Sequence, residues 1–297
     1  MKELIVFMAS AGPNVCRKNI EETCQTFIKN LGDVSYDLYV VVDKSETETF
    51  VKELLKDSLI EVAYSEGPWA YDFNKFMGKY CRPDMYNYLA IIQDDILVDS
   101  PDFYRKTLKG IEGHEDKVAW ITYTNTHFHQ VNASNSVRGG IYTDRAKFDA
   151  FECHLNNGKL DYPTGPVVVY GPFSHFNMIK TDNMLKVGPC ANFGPYVMLV
   201  DEDWSLEALT KGFVNVWIPD VFYRHPNPNQ AAMRKGDLRF REEAHKAFKM
   251  KWGFNQEPTD SEIAWLLNKY PGLAYLHRDS YDWIYLNSTD GRVADLR

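Results

Sequence analysis

The stretch Tyr88-Leu89-Ala90-Ile91-Ile92-Gln93-Asp94-Asp95-Ile96 joins a short, unbroken apolar run to two adjacent acids. An apolar run of this kind predicts a strand covered on both faces, the pattern of a parallel sheet. In open α/β sheets, ligands sit in the crevice beyond the carboxyl ends of such strands. Neighbouring carboxylates repel, so Asp94 and Asp95 at that edge call for a compensating charge, and a divalent cation supplies one. The plainer alternative is an acidic turn that caps the helix expected near Pro101.

Upstream of this run the chain alternates. Leu4–Met8, Tyr36–Val42 and Leu59–Ala63 read as strands. Asn19–Leu31 reads as a helix with Ile20, Cys24, Phe27, Ile28 and Leu31 on one face, and Thr47–Asp57 and Trp69–Tyr80 read as two more. Pro83 forbids the last of these from continuing. A βαβαβαβ series implies a mostly parallel sheet with right-handed crossovers. Downstream the rhythm loosens. Helices are predicted over Phe103–Ile111, Trp204–Lys211 and Arg239–Trp252, with Gly212 ending the second. Strands are predicted over Val118–Tyr123, Val167–Tyr170 and Val214–Ile218, with a further apolar segment at Phe176–Ile179. The polar stretch Asn125–Arg138 reads as a loop, and Ser261–Lys269 as a helical patch in the tail. No repeat or low-complexity linker breaks the chain, so one core over residues 1–253 is expected, with 254–297 packed onto it as a C-terminal extension.

Composition narrows the function. A net charge of −8 argues against a nucleic-acid groove and means that an anionic ligand must be met by a local device such as a metal or a helix N-terminus. Aromatic residues make up 14% of the chain, which suits ring stacking on sugars or bases and equally suits a core of large side chains. Cys16, Cys24, Cys81, Cys153 and Cys190 are scattered and form no C-x-x-C pair, which argues for a reducing, cytoplasmic setting. Leu4–Met8 is too short for a signal peptide, and no run is long enough for a transmembrane segment.

Taken in order, Asp43 after the second strand, Asn74 in the third helix, Asp95 at the fourth strand's end, Glu202-Asp203-Trp204 opening a helix, the late His225 and the closing Lys251-Trp252-Gly253 resemble the GT-A glycosyltransferases, in particular their family-two-like nucleotide-sugar enzymes. The resemblance spans roughly Leu4 to Gly253. It implies a Rossmann-like, mostly parallel mixed sheet flanked by helices, with 1–99 as the nucleotide-sugar-binding half and 100–253 as the acceptor half. It also implies Mn2+ or Mg2+ as cofactor, a nucleotide-sugar donor (UDP first), and a glycan, lipid-linked or protein acceptor. On that pattern Asp95 and His225 hold the metal. Ala9, Ser10, Asp43, Asn74, Gln93 and Asp94 line the nucleotide, and Lys75 lies beside Asn74. Asp203 is the general base of an inverting transfer, with Glu202 on the acceptor hydroxyl. Arg224, with Arg234 or Lys235, reaches phosphate from a loop, 225–236, that closes over the donor.

One position departs from the pattern. The family's metal motif begins with an acid, and here Gln93 stands in that place; an amide hydrogen-bonds a ribose but brings no charge to a cation. The departure keeps open a GT-A-shaped carbohydrate-binding or scaffolding protein that does not catalyse. Asp203 also has a plainer reading as a helix cap, and His225 as a surface loop residue. His127 and His129 have strand-compatible metal spacing but no nearby acid except Asp144. A dinucleotide-binding enzyme is disfavoured, because Ala9-Ser10-Ala11-Gly12-Pro13-Asn14 lacks the glycine pattern that a pyrophosphate needs.

Overall fold

In the computed structural model, β1 (Lys2–Ala9) and β4 (Tyr86–Gln93) lie parallel, with Ala9 opposite Gln93 at their carboxyl ends. The structure describes residues 1–9, 17–42, 45–56, 59–125, 136–144, 147–156, 159–160, 166–169, 176–194, 199–225 and 238–253, with the backbone alone for the strands between 136 and 169. Outward from β1 come β2 (Tyr36–Val42) and β3 (Leu59–Tyr64), both parallel to it. On the other side of β4, β11 (Phe176–Lys180) runs antiparallel, and β6 (Val118–Asn125) is antiparallel to β11 and so parallel again to β4. The sheet order is β3-β2-β1-β4-β11-β6, continuing into β7 (Ser136–Asp144), β8 (Lys147–Asn156) and β9 (Lys159–Leu160). β12 (Val214–Arg224) runs parallel to β6 and also pairs with β5 (Leu97–Val98) and β10 (Val167–Val169). The run β3-β2-β1-β4 is parallel throughout, and from β11 onward parallel and antiparallel pairings mix, so the sheet is a mixed one as expected, and it crosses residue 100 without a break.

Both faces of β1 are covered, which explains its continuous apolar run. Leu4, Val6 and Met8 enter one core with α1 (Arg17–Leu31), α2 (Ser45–Leu54) and α4 (Phe103–Gly110). Ile5, Phe7 and Ala9 enter the other, with α3 (Trp69–Tyr80), α5 (Thr181–Val187) and α6 (Val200–Thr210). In that second core Phe7 touches the rings of Tyr39, Trp69, Phe73 and Phe76, and Trp204 stacks on Trp120 at 4.5 Å. Trp120, Trp204 and Trp217 are therefore core residues and not sugar platforms. Each such ring buries enough apolar surface to contribute roughly 1.5–3 kcal/mol.

Several expectations shift. Ile28, placed on the buried face of α1, is 37% exposed, while Thr23, Thr26 and Asn30 of the same helix face the chain after β4. The last residues of the expected loop, Ser136–Arg138, open β7, which pairs antiparallel with β8. β12 passes Pro219 through an irregularity in its pairing with β6, where a missing N–H is tolerated. The stop at Gly212 stands as expected: its φ is +83°, its N–H donates to Leu209 O and that of Phe213 to Ala208 O, the two bonds of a Schellman turn. The helix Leu238–Trp252, α7, is the last described element. The extension 254–297, with its helical patch, lies outside the described residues, as do His127 and His129.

Candidate active site

The acids after β4 part company. Asp94 is buried beside α1: its carbonyl accepts a hydrogen bond from Thr23 Oγ1 at 2.9 Å, and its charge, after burial itself, helps push the Cys24 thiol up to about 12. Asp95 turns toward the end of β12, where its Oδ2 lies 2.9 Å from His225 Nε2. Both partners are buried, Asp95 at 8% and His225 at 6% exposure. Asp95 Oδ1 is buried as well and has no hydrogen-bond partner among the described residues. His225 is thus no surface loop residue.

A short zipper sets this pair. β5 runs back along β12, with Val98 opposite Tyr223 and Leu97 opposite Arg224. The zipper continues as Asp99 N–H donates to Phe222 O (3.0 Å) and Phe222 N–H to Ser100 Oγ (2.7 Å). From below, Asn30 Nδ2 donates to Val98 O (2.7 Å), and Val98 N–H donates to Thr26 Oγ1 (3.2 Å). The fork of Arg224 closes on both oxygens of Asp99, at 2.6 and 2.8 Å. Arg224 is therefore a clamp on the zipper here. Arg234 and Lys235, with the rest of the loop expected to close, lie outside the described residues.

The second acidic group sits at the same edge of the sheet. α6 feeds β12 through the Gly212 turn and packs along its first half, with Asn215 Nδ2 donating to Ser205 O (3.4 Å), so its first turn points toward the carboxyl edge of the sheet. Asp201, Glu202 and Asp203 fall within that turn, behind the N-cap residue Leu199, whose φ is +60°. Asp203 is thus neither the cap nor a free base. It is fully buried, its Oδ1 accepts from Lys251 Nζ (2.5 Å) and Trp252 Nε1 (2.8 Å), and its Oδ2 accepts from Ala191 N–H (3.1 Å). Glu202 is also nearly buried, at 8% exposure, and points about 100° away around the helix.

Asn74, expected against the nucleotide, is occupied too. Its amide donates to Cys190 O (2.9 Å) and accepts from Cys190 N–H (3.0 Å), which fixes the chain ahead of α6. Its neighbour Lys75 pairs with Glu66 at 2.5 Å. Ala9 is buried and Gln93 half-buried at the edge itself; Ser10 and Asp43 lie outside the described residues. Among the described residues no cluster of three or more His, Cys, Asp or Glu could hold a metal, so the protein offers the Asp95–His225 pair.

A carboxylate–imidazole pair and an acidic helix start share the carboxyl edge of a mixed sheet ordered β3-β2-β1-β4-β11-β6. The fold is that of the GT-A glycosyltransferases. The chain superposes on GalNAc-T7, solved with UDP, GalNAc and Mn2+, at a TM-score of 0.55 and 10% identity over 94% of its length. It superposes on the mannosyltransferase PcManGT from Pyrobaculum calidifontis, in complex with GDP-Man and Mn2+, at a TM-score of 0.55 and 13% identity over 94%. It spans 58% of the GalNAc-T7 chain and 71% of the mannosyltransferase chain. No family model matches the sequence, and a search of curated proteins finds no relative. At these identities the GT-A likeness is one of fold.

Proposed function

We propose that the chain is a metal-dependent glycosyltransferase that moves a sugar from a nucleoside-diphosphate sugar, UDP-linked before GDP-linked, to a hydroxyl of a glycan, lipid-linked or protein acceptor. The observation that carries this reading is the buried Asp95–His225 pair, with Asp95 Oδ1 left open, at the ligand edge of a GT-A sheet. The donor set fits Mn2+ better than Mg2+: Asp95 offers a hard oxygen, His225 a nitrogen that Mg2+ disfavours, and waters and substrate phosphates would complete the shell, so two protein donors suffice. Bound there, the ion supplies Lewis-acid stabilisation of the departing diphosphate. Asp95 and His225 hold and orient the donor, and Gln93 offers its amide to the ribose. The first turn of α6 supplies the acid that takes the acceptor's proton as the sugar inverts. The buried free thiols of Cys24, Cys81 and Cys190 are in keeping with a cytoplasmic setting.

Gln93 favours a second reading, a protein of the same fold that binds a nucleotide sugar without transferring it. Calorimetric titration with UDP and with GDP, each with and without Mn2+, tests binding, and Mn2+-stimulated hydrolysis of nucleotide sugars separates the two readings. Mn2+-dependent binding with turnover supports the transferase. Binding without turnover supports the second reading, and no binding removes both.

A further inference from the structure

Asp203 accepts three hydrogen bonds at the candidate site, and its partners come from two separate segments. Lys251 and Trp252 approach from the last turn of α7, and Ala191 from the segment before α6. Lys251 extends the join along α6 by bonding Glu207 Oε1 at 2.8 Å, one turn further on, and its ammonium lies 5.0 Å from the Trp252 ring centroid. Asn74 holds the neighbouring Cys190 by both backbone groups, so α3 enters the same network. A general base needs one oxygen within reach of an acceptor hydroxyl. Asp203 has no exposed surface, and both of its oxygens are taken.

We propose that Asp203, Lys251 and Trp252 form a positioning clasp rather than a catalytic group, and that the proton acceptor of the transfer is Glu202. This rests on the glycosyltransferase reading. The clasp holds the first turn of α6 from the side that faces α7 and Ala191. That fixes the direction of Glu202 on the next face, where a carboxylate at 8% exposure is shielded from bulk water. Holding a catalytic group in one geometry is worth large factors in rate, and small displacements are costly. Through this contact the docking of α7, far along the chain, governs the order of the site. The sequence marked Lys251-Trp252-Gly253 as a tripeptide but gave it no partner.

The test uses the full chain in five forms: wild type, Glu202→Gln, Asp203→Asn, Lys251→Met and the double variant Asp203→Asn/Lys251→Met. Turnover is read as Mn2+-stimulated release of UDP from a UDP-sugar. Glu202→Gln is expected to lose about a hundredfold or more in kcat, the scale of base removal. Asp203→Asn and Lys251→Met are each expected to lose about tenfold in kcat at little changed KM. The double variant should lose no more than either alone, because the two residues act as one unit.

Hydrogen exchange of the same proteins reads the clasp without any activity. In Lys251→Met, faster exchange is expected at α6's first turn and at 188–194, while UDP and Mn2+ still bind. Absence of turnover and of UDP binding in wild type, with exchange altered as expected, would overturn the transferase reading and leave the clasp standing. A hundredfold loss in Asp203→Asn with Lys251→Met unchanged in turnover and exchange would overturn the clasp and return the base to Asp203.

Discussion

Asp95 and Asp203 are both buried acids at the carboxyl edge of one sheet, yet their surroundings differ in kind. Asp203 is satisfied: a lysine, an indole and a backbone amide use both oxygens. Asp95 has a histidine on one oxygen and no partner among the described residues on the other. Leaving a carboxylate oxygen buried and unpaired costs stability, whereas a fully bonded carboxylate holds its neighbours in place. A folded chain keeps the first kind where a ligand completes it and the second kind where structure depends on it. Acid residues that look equivalent in sequence are told apart by this accounting of their oxygens.

The largest expected effect on stability follows from Asp203. Asp203→Ala strands Lys251 and Trp252 at the end of α7 and frees the Ala191 amide. Breaking a buried pair in this way costs about 3 kcal/mol, at the low end because Lys251, 30% exposed, can turn to water. Urea unfolding measures it, and a change under about 0.5 kcal/mol would mean that the clasp carries nothing.

Asp95→Ala is expected to do the reverse. Stability should move by no more than about 1 kcal/mol, since one hydrogen bond and one unpaired oxygen disappear together. Mn2+-dependent UDP binding should weaken by about a hundredfold or more. Unchanged calorimetric affinity would sink the metal assignment, while a large loss of stability would erase the contrast with Asp203.

Arg224→Ala sharpens the first side of the comparison. The Arg224–Asp99 fork closes the zipper that seats His225 against Asp95, but its partners are 48% and 32% exposed. Its loss should therefore cost under about 1 kcal/mol in stability, with a few-fold weakening of UDP with Mn2+. If Arg224 instead met phosphate, the loss of binding would rival that of Asp95→Ala.

The fold was legible where a short segment decides its own environment. The Tyr88–Ile92 run could only be a strand covered on both faces, and Gly212 could only end a helix, because φ beyond +80° excludes other residues at little cost. That Asp95 and His225 each follow a strand was legible, and the structure brings the two together. What failed was the choice of partner by a polar side chain. Nothing near Asn74 in sequence says that it will clamp Cys190, and nothing near Asp203 says that Lys251 will reach it. Thr23, Thr26 and Asn30 lie at helical spacing, but a stripe of polar residues reads as a wetted face until β5 is known to lie on it. β5 itself has two residues and no periodicity to detect. Tertiary hydrogen bonds of this kind are fixed by the packed sheet, so they become visible only with it.

The smallest effect expected is a pH dependence confined to the clasp. Burial alone would lower the pKa of Lys251, but its bonds to Asp203 and Glu207, and their charges, raise it above the ordinary 10.5. Burial alone would raise the pKa of Glu207, but Lys251 and Lys211 bring it below the ordinary 4.5. A group raised on folding stabilises below its unfolded value and loses that contribution as pH climbs through the folded one. A group lowered on folding stabilises above its unfolded value and loses it as pH falls through the folded one. The join between α6 and α7 should accordingly hold steady between 4.5 and 10.5 and loosen outside that window on both sides. Glu207→Gln should flatten the acid side most, because it removes the lowered carboxylate, and the basic side less, because Lys251 keeps its bond to Asp203. Hydrogen exchange of α7 across pH, corrected for the intrinsic rate, follows the join directly. An acid side as steep in Glu207→Gln as in wild type would show that carboxylates elsewhere set it.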